Sequence, residues 1–157
     1  MARQLCTFQI AGQLFGVDVA HVQEVIQDQA TTRIPLAPSA VAGLINLRGQ
    51  IVPVLDLRHC LALPRASAAL GGANVVLATE AGPVSLRVDE IGDVLQVGDD
   101  AFEATPENLR GPTRALVRGV YKLDRALLLV LSTADVIELA SSATPSPESD
   151  TSFALKN

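Results

Sequence analysis

The sequence predicts a mainly β protein arranged as a barrel or a sandwich. Short apolar segments recur along the chain, and turn residues such as glycine, proline and aspartate separate them. The mean hydropathy is +0.32, although no apolar run is long enough to span a bilayer. The apolar strands are therefore expected to pack within the chain or to stay partly open for a protein partner. With 157 residues, one compact domain is expected.

The N-terminal segment predicts a β-hairpin. Apolar residues alternate from Leu5 to Ile10, and Gly12 turns the chain into a second strand over Leu14 to Val17. Asp18 is then placed to cap a short helical turn. The next run, Val22 to Ile26, fits both helical spacing and a strand, and periodicity alone does not decide between the two.

Residues 43–57 predict a second hairpin. Leu44 to Arg48 and Ile51 to Leu55 are apolar strands, and Gly49-Gln50 joins them. Glycine at the first central position of a two-residue turn favours type II′. Pro53 has no backbone N–H to donate, so we expect it at a sheet edge or at a bulge.

Asn46 and Arg48 are the polar residues of this hairpin. In an extended strand they share one face, while Ile45 and Leu47 share the other. Two interpretations remain open. The face is a solvent-exposed hairpin edge, or it is a protein interface, where an arginine is favoured because its guanidinium forms bidentate hydrogen bonds and stacks well.

The remaining chain predicts more strands and a final helix. Residues 99–113 form a polar loop with Pro106 and Pro112, and Ser132 with Asp135 caps a short helix. The Ser-, Thr- and Pro-rich residues 141–157 are predicted to be a disordered tail. The predicted strands are Asn74 to Thr79, Val84 to Asp89, Asp93 to Val97, Leu116 to Lys122 and Ala126 to Leu131.

A weak internal repeat links two parts of the chain. The strand within Gly49 to Leu55 and the residues from Arg58 to Leu61 resemble the strand Leu127 to Leu131 and the residues from Asp135 to Ile137. In each case a strand leads into a short helix. Two related half-domains explain this similarity, and chance or common β-protein patterns explain it about as well.

Composition and motifs exclude several functional classes. A net charge of −5 and an aromatic content of 3% lack the basic surface and the stacking residues of nucleic-acid binders. Gly71-Gly72 has no nearby lysine for a phosphate loop. Neither His21 nor His59 is accompanied by a Gly-x-Ser-x-Gly motif. The sequence therefore predicts that the protein is not an enzyme and uses no cofactor.

The two cysteines and two histidines do not have the spacing of a metal site. His59 and Cys60 are neighbours and point in different directions, and no C-x-x-C pair accompanies Cys6 or His21. We expect no metal and two reduced thiols. Without a signal-peptide core or a membrane-spanning run, a soluble, cytoplasmic protein is expected.

At residues 41–58 the sequence, VAGLINLRGQIVPVLDLR, resembles the central signature of CheW-like domains. Further motifs agree in order and spacing over residues 4–140. Phe15 to Val19 with Val22 to Val25 resembles the N-terminal motif of the family, and Ile34-Pro35 its proline turn. Val88 to Ile91 resembles the middle motif, and Arg118 to Leu131 the last strand pair. Several ordered motifs are more specific than any one of them.

The resemblance implies a fold and a function. The implied fold is two SH3-like five-stranded β-barrel subdomains packed together in a domain over residues 1–140, followed by the tail. The implied function is a non-enzymatic adaptor that joins the cytoplasmic tip of methyl-accepting chemotaxis receptors to the regulatory domain of a CheA-type histidine kinase. Such an adaptor is recruited to receptor arrays at the membrane without inserting into it.

The resemblance also implies a receptor-binding site and leaves the kinase contacts unassigned. A CheW-like scaffold in a non-flagellar kinase pathway is the alternative function, followed by a small-ligand-binding β-barrel. By family motif, the implied receptor-binding residues are Val22, Glu24, Gly43, Asn46, Arg48 and Gly49.

Overall fold

The computed structural model describes residues 2–27, 30–35, 40–63, 72–98, 101–105, 107, 109 and 111–143. Within these residues the chain is mainly β, with short helices. The α-helices are α1 (Leu57–Cys60), α2 (Gly111–Leu116) and α3 (Thr133–Ala143), and a 3-10 turn covers Val19–His21. The strands are β1 (Ala2–Ile10), β2 (Gln13–Asp18), β3 (Val22–Gln27), β4 (Val41–Leu47), β5 (Gln50–Asp56), β6 (Ala73–Leu77), β7 (Val84–Val88), β8 (Glu90–Gly98), β9 (Phe102–Glu103), β10 (Val117–Lys122) and β11 (Leu127–Leu131).

The strands form two sheets. A six-stranded sheet has the order β8-β1-β2-β11-β10-β9, and a five-stranded sheet has the order β3-β6-β7-β5-β4. The hydrogen bonding among the described residues leaves both sheets open, so the expected closure into two five-stranded barrels is not seen in the strand pairing. The sixth strand arises because Phe102 and Glu103 pair with Tyr121 and Val120 of β10.

Strand pairing repeats from one sheet to the other. In each, a hairpin (β4–β5 or β10–β11) lies beside a parallel partner (β7 or β2), which pairs antiparallel with the next strand. Each hairpin has an irregularity at its start, between Val41 and Gly43 in one and between Val117 and Gly119 in the other. The weak sequence repeat therefore falls on equivalent strands of the two sheets.

Three apolar clusters explain the positive mean hydropathy. The five-stranded sheet curls around its own cluster, in which Ile45 and Val52 are buried and Ile26 is half-buried. The six-stranded sheet encloses a second cluster that includes Leu5 and Tyr121. The central cluster draws residues from both sheets and all three α-helices. Many strands thus bury side chains on both faces, and the apolar strands pack within the chain.

Local patterns predicted several elements correctly. The first hairpin pairs Leu5 to Ile10 with Gln13 to Asp18. Asp18 caps the 3-10 turn, since its Oδ1 accepts a hydrogen bond from the Ala20 N–H at 2.9 Å. Ser132 caps α3 through the N–H of Asp135 at 3.3 Å. The ambiguous run after His21 is a strand, β3, because it pairs with β6 along the edge of the five-stranded sheet.

The turn of the β4–β5 hairpin differs from the prediction. Leu47 pairs with Gln50, so Arg48 and Gly49 are the central residues, with φ values of 52° and 87°. Two left-handed residues define a type I′ turn rather than type II′. The register is set by burial: Leu47 and Val52 point into the cluster enclosed by the sheet, which fixes the pairing on both sides of the turn. Arg48 therefore does not share a strand face with Asn46.

Three other expectations need correction. Pro53 lies in the inner strand β5, where it pairs with Leu44 outside the irregularity between Val41 and Gly43, so it is neither in an edge strand nor at a bulge. Its missing donor is tolerated because the pairing with β7 begins only at Val54. The predicted loop over 99–113 contains β9 and the start of α2. The helix α3 extends to Ala143, three residues into the predicted tail. Residues 144–157, and with them the prediction of disorder there, lie outside the described residues.

Candidate functional site

Glu24 and Arg48 form an ion pair at the surface. Glu24 lies in β3, and Arg48 lies in the turn that follows β4. β3 and β4 are the two edge strands of the five-stranded sheet. The guanidinium of Arg48 donates to Oε2 of Glu24. Arg48 is 70% exposed and Glu24 21%. The sheet curls far enough to bring these two side chains together across its edges.

Both partners of this pair carry charge at neutral pH. The hydrogen bond from Arg48 lowers the pKa of Glu24, and this effect outweighs the partial burial that raises it. Because a guanidinium carries several N–H donors in one plane, a largely exposed Arg48 can bind Glu24 and still offer donors to another protein.

Asn46 holds the turn that presents Arg48. Its side chain is exposed, and Oδ1 accepts a hydrogen bond from the backbone N–H of Gly49 at 2.8 Å. This bond spans the left-handed residues of the turn and satisfies a donor that the hairpin ladder does not use. Asn46 and Gly49 thus lie next to Arg48 in the turn, although Asn46 does not share a strand face with Arg48 as the sequence predicted.

Gly43 and Val22 belong to the support of the site and not to its exposed part. Gly43 is buried under a bridge in which Thr32 and Leu44 exchange two backbone hydrogen bonds of 2.8 Å. A Cβ at Gly43 would overlap the carbonyl oxygen of Thr32. Val22 is half-buried and packs against the central cluster. Residue spacing did not reveal the close packing of Gly43 against Thr32 or the packing of Val22 on the central cluster.

Ile51 is a surface residue that the sequence analysis did not single out. It is 58% exposed, and it lies directly opposite Asn46 in the hairpin. Side chains directly opposite each other share one face of the sheet. The alternation of Ile51, Pro53 and Leu55 was visible in the sequence, but it did not tell which of these residues the rest of the protein covers.

The cysteines and histidines considered as metal ligands are distributed over the fold. Cys6 and Cys60 are buried free thiols of the central cluster, whereas His21 and His59 are exposed. Burial raises the pKa of Cys6 and raises that of Cys60 to about 11. Among the residues that the structure describes, no three His, Cys, Asp or Glu side chains come together as a metal site.

An exposed ion pair across two strand edges, next to an exposed aliphatic side chain, is suited to contact with another protein. Within the described part of the chain, no helix has the length and apolarity needed to cross a membrane. The fold and this surface are those of a β-rich domain suited to binding another protein.

Comparison with known proteins identifies the family. The CheW-like domain profile matches residues 4–141. A chemotaxis protein CheW from Treponema pallidum (strain Nichols) is 32% identical over 143 residues, which cover 88% of this chain and 82% of that protein. A chemotaxis protein CheW from Bacillus subtilis (strain 168) is 28% identical, with coverage of 92% and 93%. The chain belongs to the CheW-like domain family.

A solved structure agrees with this assignment. The crystal structure of the scaffolding protein TtCheW from Thermoanaerobacter tengcongensis matches with a TM-score of 0.76 and 27% identity, covering 84% of this chain and 90% of that one. At the level of the family, these domains are non-catalytic scaffolds.

Proposed function

We propose that this protein is a non-enzymatic, cytoplasmic adaptor that couples methyl-accepting chemotaxis receptors to a CheA-type histidine kinase. The observation that carries the proposal is the exposed Glu24–Arg48 pair, in a chain whose residues 4–141 match the CheW-like domain. The adaptor acts by holding its partners together in receptor arrays at the membrane, with the kinase bound through its regulatory domain.

In this proposal the receptor tip contacts the turn end of the β4–β5 hairpin. Arg48 supplies charged donors, and Glu24 orients its guanidinium. Asn46 and Gly49 fix the turn. Gly43 and Val22 support the site indirectly. Gly43 leaves room for the Thr32–Leu44 bridge, and Val22 packs on the central cluster. Closure of the curled sheets into SH3-like barrels is the architecture we propose for this scaffold.

The test is a double-mutant cycle on the affinity for a receptor cytoplasmic-tip fragment. In Arg48→Glu, the new carboxylate faces the carboxylate of Glu24 and the acceptor groups of the receptor. We therefore expect the affinity for the receptor fragment to fall about tenfold or more. Adding Glu24→Arg restores an opposite-charge pair and is expected to recover part of the loss. Calorimetric titration of the four proteins gives the coupling between the two sites.

The matched control is Arg125→Glu. Arg125 is also an exposed arginine in a hairpin turn, between β10 and β11 of the other sheet. This variant is expected to bind the receptor fragment like the original protein, and all variants are expected to bind the kinase regulatory domain unchanged. If Arg48→Glu unfolds the protein in a thermal melt, or leaves receptor affinity intact, Arg48 is not a receptor contact.

A further inference from the structure

The six-stranded sheet ends in a very short strand. β9 consists of Phe102 and Glu103, which pair with Tyr121 and Val120 of β10. β8 is the opposite edge of the same sheet, and it ends shortly before β9 begins in the chain. So short a connection keeps the two edges of the sheet near each other at this point. The segment of residues 101–105, which we call the strap, therefore lies where the two edges approach.

Side-chain contacts hold the strap against β10. The ring of Phe102 lies beside that of Tyr121, with centroids 5.1 Å apart, and it packs on the apolar cluster enclosed by the sheet. The same ring occupies the space into which a Cβ of Gly119 would project. The hydroxyl of Thr105 donates a hydrogen bond to the carbonyl of Val117 at 3.0 Å. Because β9 adds so few backbone pairs, the strap depends strongly on these contacts.

The strap lies over a buried hydroxyl that has no hydrogen-bond partner. The side chain of Tyr121 is buried, and its hydroxyl finds neither a donor nor an acceptor among the described residues. A buried tyrosine hydroxyl usually has a partner, because it otherwise loses its hydration without compensation. Release of the Phe102 ring would let water reach this hydroxyl. Binding of the strap therefore carries a cost that its release removes.

The equivalent position in the five-stranded sheet has no such cost. Gly43 and Gly119 each follow the irregularity at the start of a hairpin, and Thr32 packs against Gly43 as the strap packs against Gly119. Two residues farther along these strands lie Ile45 and Tyr121. Ile45 is buried in the cluster of its own sheet and has no polar side-chain atom to satisfy. The Thr32 segment thus covers an apolar side chain, whereas the strap covers an unpaired hydroxyl.

We propose that the strap is a conformational switch with a bound and a released form. In the bound form, Phe102 packs on the cluster and the hydroxyl of Tyr121 is buried. In the released form, the strap leaves β10, water hydrates this hydroxyl, and the sheet keeps its other five strands. The backbone of β10 at Val120 then becomes a free sheet edge. The switch makes no use of the Glu24–Arg48 site and is independent of the proposed function.

Amide hydrogen exchange of the unmodified protein, followed by NMR at several low urea concentrations, tests whether release occurs separately. The strap amides are expected to exchange at least about tenfold faster than that of Leu129 in the inner strand β11, with little dependence on urea. Exchange of the strap amides at the rate and urea dependence of Leu129 would show that the strap leaves only on global unfolding. That result overturns the switch.

Tyr121→Phe tests the role of the hydroxyl, because it removes the unpaired group and keeps the ring. Exchange of the strap amides is expected to slow at least about fivefold. The amide of Thr32, in the equivalent bridge, is the control and should change less than about twofold. Unchanged or faster exchange of the strap means that the hydroxyl has a partner in the bound form, and it rejects the switch. Equal slowing at Thr32 indicates a general gain in stability and also rejects it.

Gly119→Ala tests release directly, because its Cβ would overlap the ring of Phe102 and displace the strap. Tyr121 is the only tyrosine and the chain has no tryptophan, so tyrosine fluorescence reports on this site alone. Acrylamide quenching of this fluorescence is expected to rise at least about threefold while the thermal melt stays cooperative. Gly16→Ala in β2 of the same sheet is the matched control and should leave quenching nearly unchanged. Loss of the cooperative melt in Gly119→Ala, or unchanged quenching, overturns the proposal.

Discussion

Gly43 is a residue at which backbone conformation and close packing act together. Its φ is 151°, and the Thr32 carbonyl lies where a Cβ would project. Only a residue without a side chain lets the Thr32–Leu44 bridge form over β4. The residue implied by family resemblance as part of the receptor site is thus required for the local fold.

We expect Gly43→Ala to lower the free energy of unfolding by more than about 2 kcal/mol, because Thr32 must move or its bridge must break. Gly82→Ala is the control. Gly82 also has a positive φ, of 115°, but nothing lies within 4 Å of its Cβ position, so this variant shows the conformational strain alone. Urea denaturation of both variants measures the difference, and equal losses would contradict the role of the bridge.

Arg48 also occupies a left-handed conformation, with φ of 52°. Such a conformation costs a non-glycine residue about 1 kcal/mol. Strained residues persist where the surrounding structure holds them and often lie at functional sites. The register of the hairpin and the hydrogen bond of Asn46 to Gly49 hold Arg48 in this conformation. In the proposed function, its exposed charge contacts the receptor.

At the scale of elements, the residue that links β7 of one sheet to β8 of the other makes hydrogen bonds to two further elements. Asp89 is the single residue between β7 of one sheet and β8 of the other. Its carboxylate accepts hydrogen bonds from Nε of Arg58 in α1 at 2.9 Å and from the Ala11 N–H in the β1–β2 turn at 2.8 Å. Asp89 therefore ties α1 to the hairpin of the six-stranded sheet.

The ionisation of Asp89 predicts a pH dependence. Burial alone raises the pKa of Asp89, but the hydrogen bonds from Arg58 and Ala11 and the charge of Arg58 outweigh it, so the pKa is lowered. A lowered pKa in the folded state stabilises the protein above the unfolded value of about 3.9. This stabilisation is lost as the pH falls through the folded-state pKa.

Asp89→Asn is expected to lower the free energy of unfolding by about 2 kcal/mol at pH 7, since it removes the carboxylate charge that the Arg58 guanidinium and the Ala11 N–H bind. The difference from the original protein should shrink below about pH 4 as Asp89 is protonated. Asp124→Asn, in the exposed β10–β11 turn, is the control with little effect. A difference for Asp89→Asn that is the same at pH 3 and pH 7 would contradict the ionic role.

At the scale of the whole molecule, one cluster joins the two sheets. The rings of Phe8 and Phe15 stack with centroids 6.3 Å apart, and both residues are buried in the central cluster. Leu55 and Leu86 of the five-stranded sheet belong to the same cluster. Neither sheet can lose its structure without exposing apolar surface of the other.

The chain is therefore expected to unfold in a single cooperative transition. Phe8→Ala removes a fully buried ring and should cost about 3 to 5 kcal/mol while the transition stays single. Calorimetry checks this by comparing the calorimetric and van't Hoff enthalpies. Two separate transitions, or a Phe8→Ala variant in which only the six-stranded sheet loses hydrogen-exchange protection, would show that the sheets are independent.

The sequence by itself determined features that depend on near neighbours. Alternating apolar residues located the first hairpin and most strands, and Asp18 and Ser132 marked two caps because a cap is a contact within a few residues. The family motifs, which lie in β3 and the β4–β5 turn, brought Glu24 and Arg48 into one predicted site.

Only the tertiary structure decided features that depend on distant parts of the chain. Val22 to Ile26 became a strand because β6 pairs with it, and Arg48 entered the turn because the sheet interior fixed the register of its hairpin. Ile51 and Leu55 have the same alternation in the sequence, yet one is exposed and the other is buried. The physical reason is that burial depends on which strands of the second sheet lie above a residue, and those strands are far away in the chain.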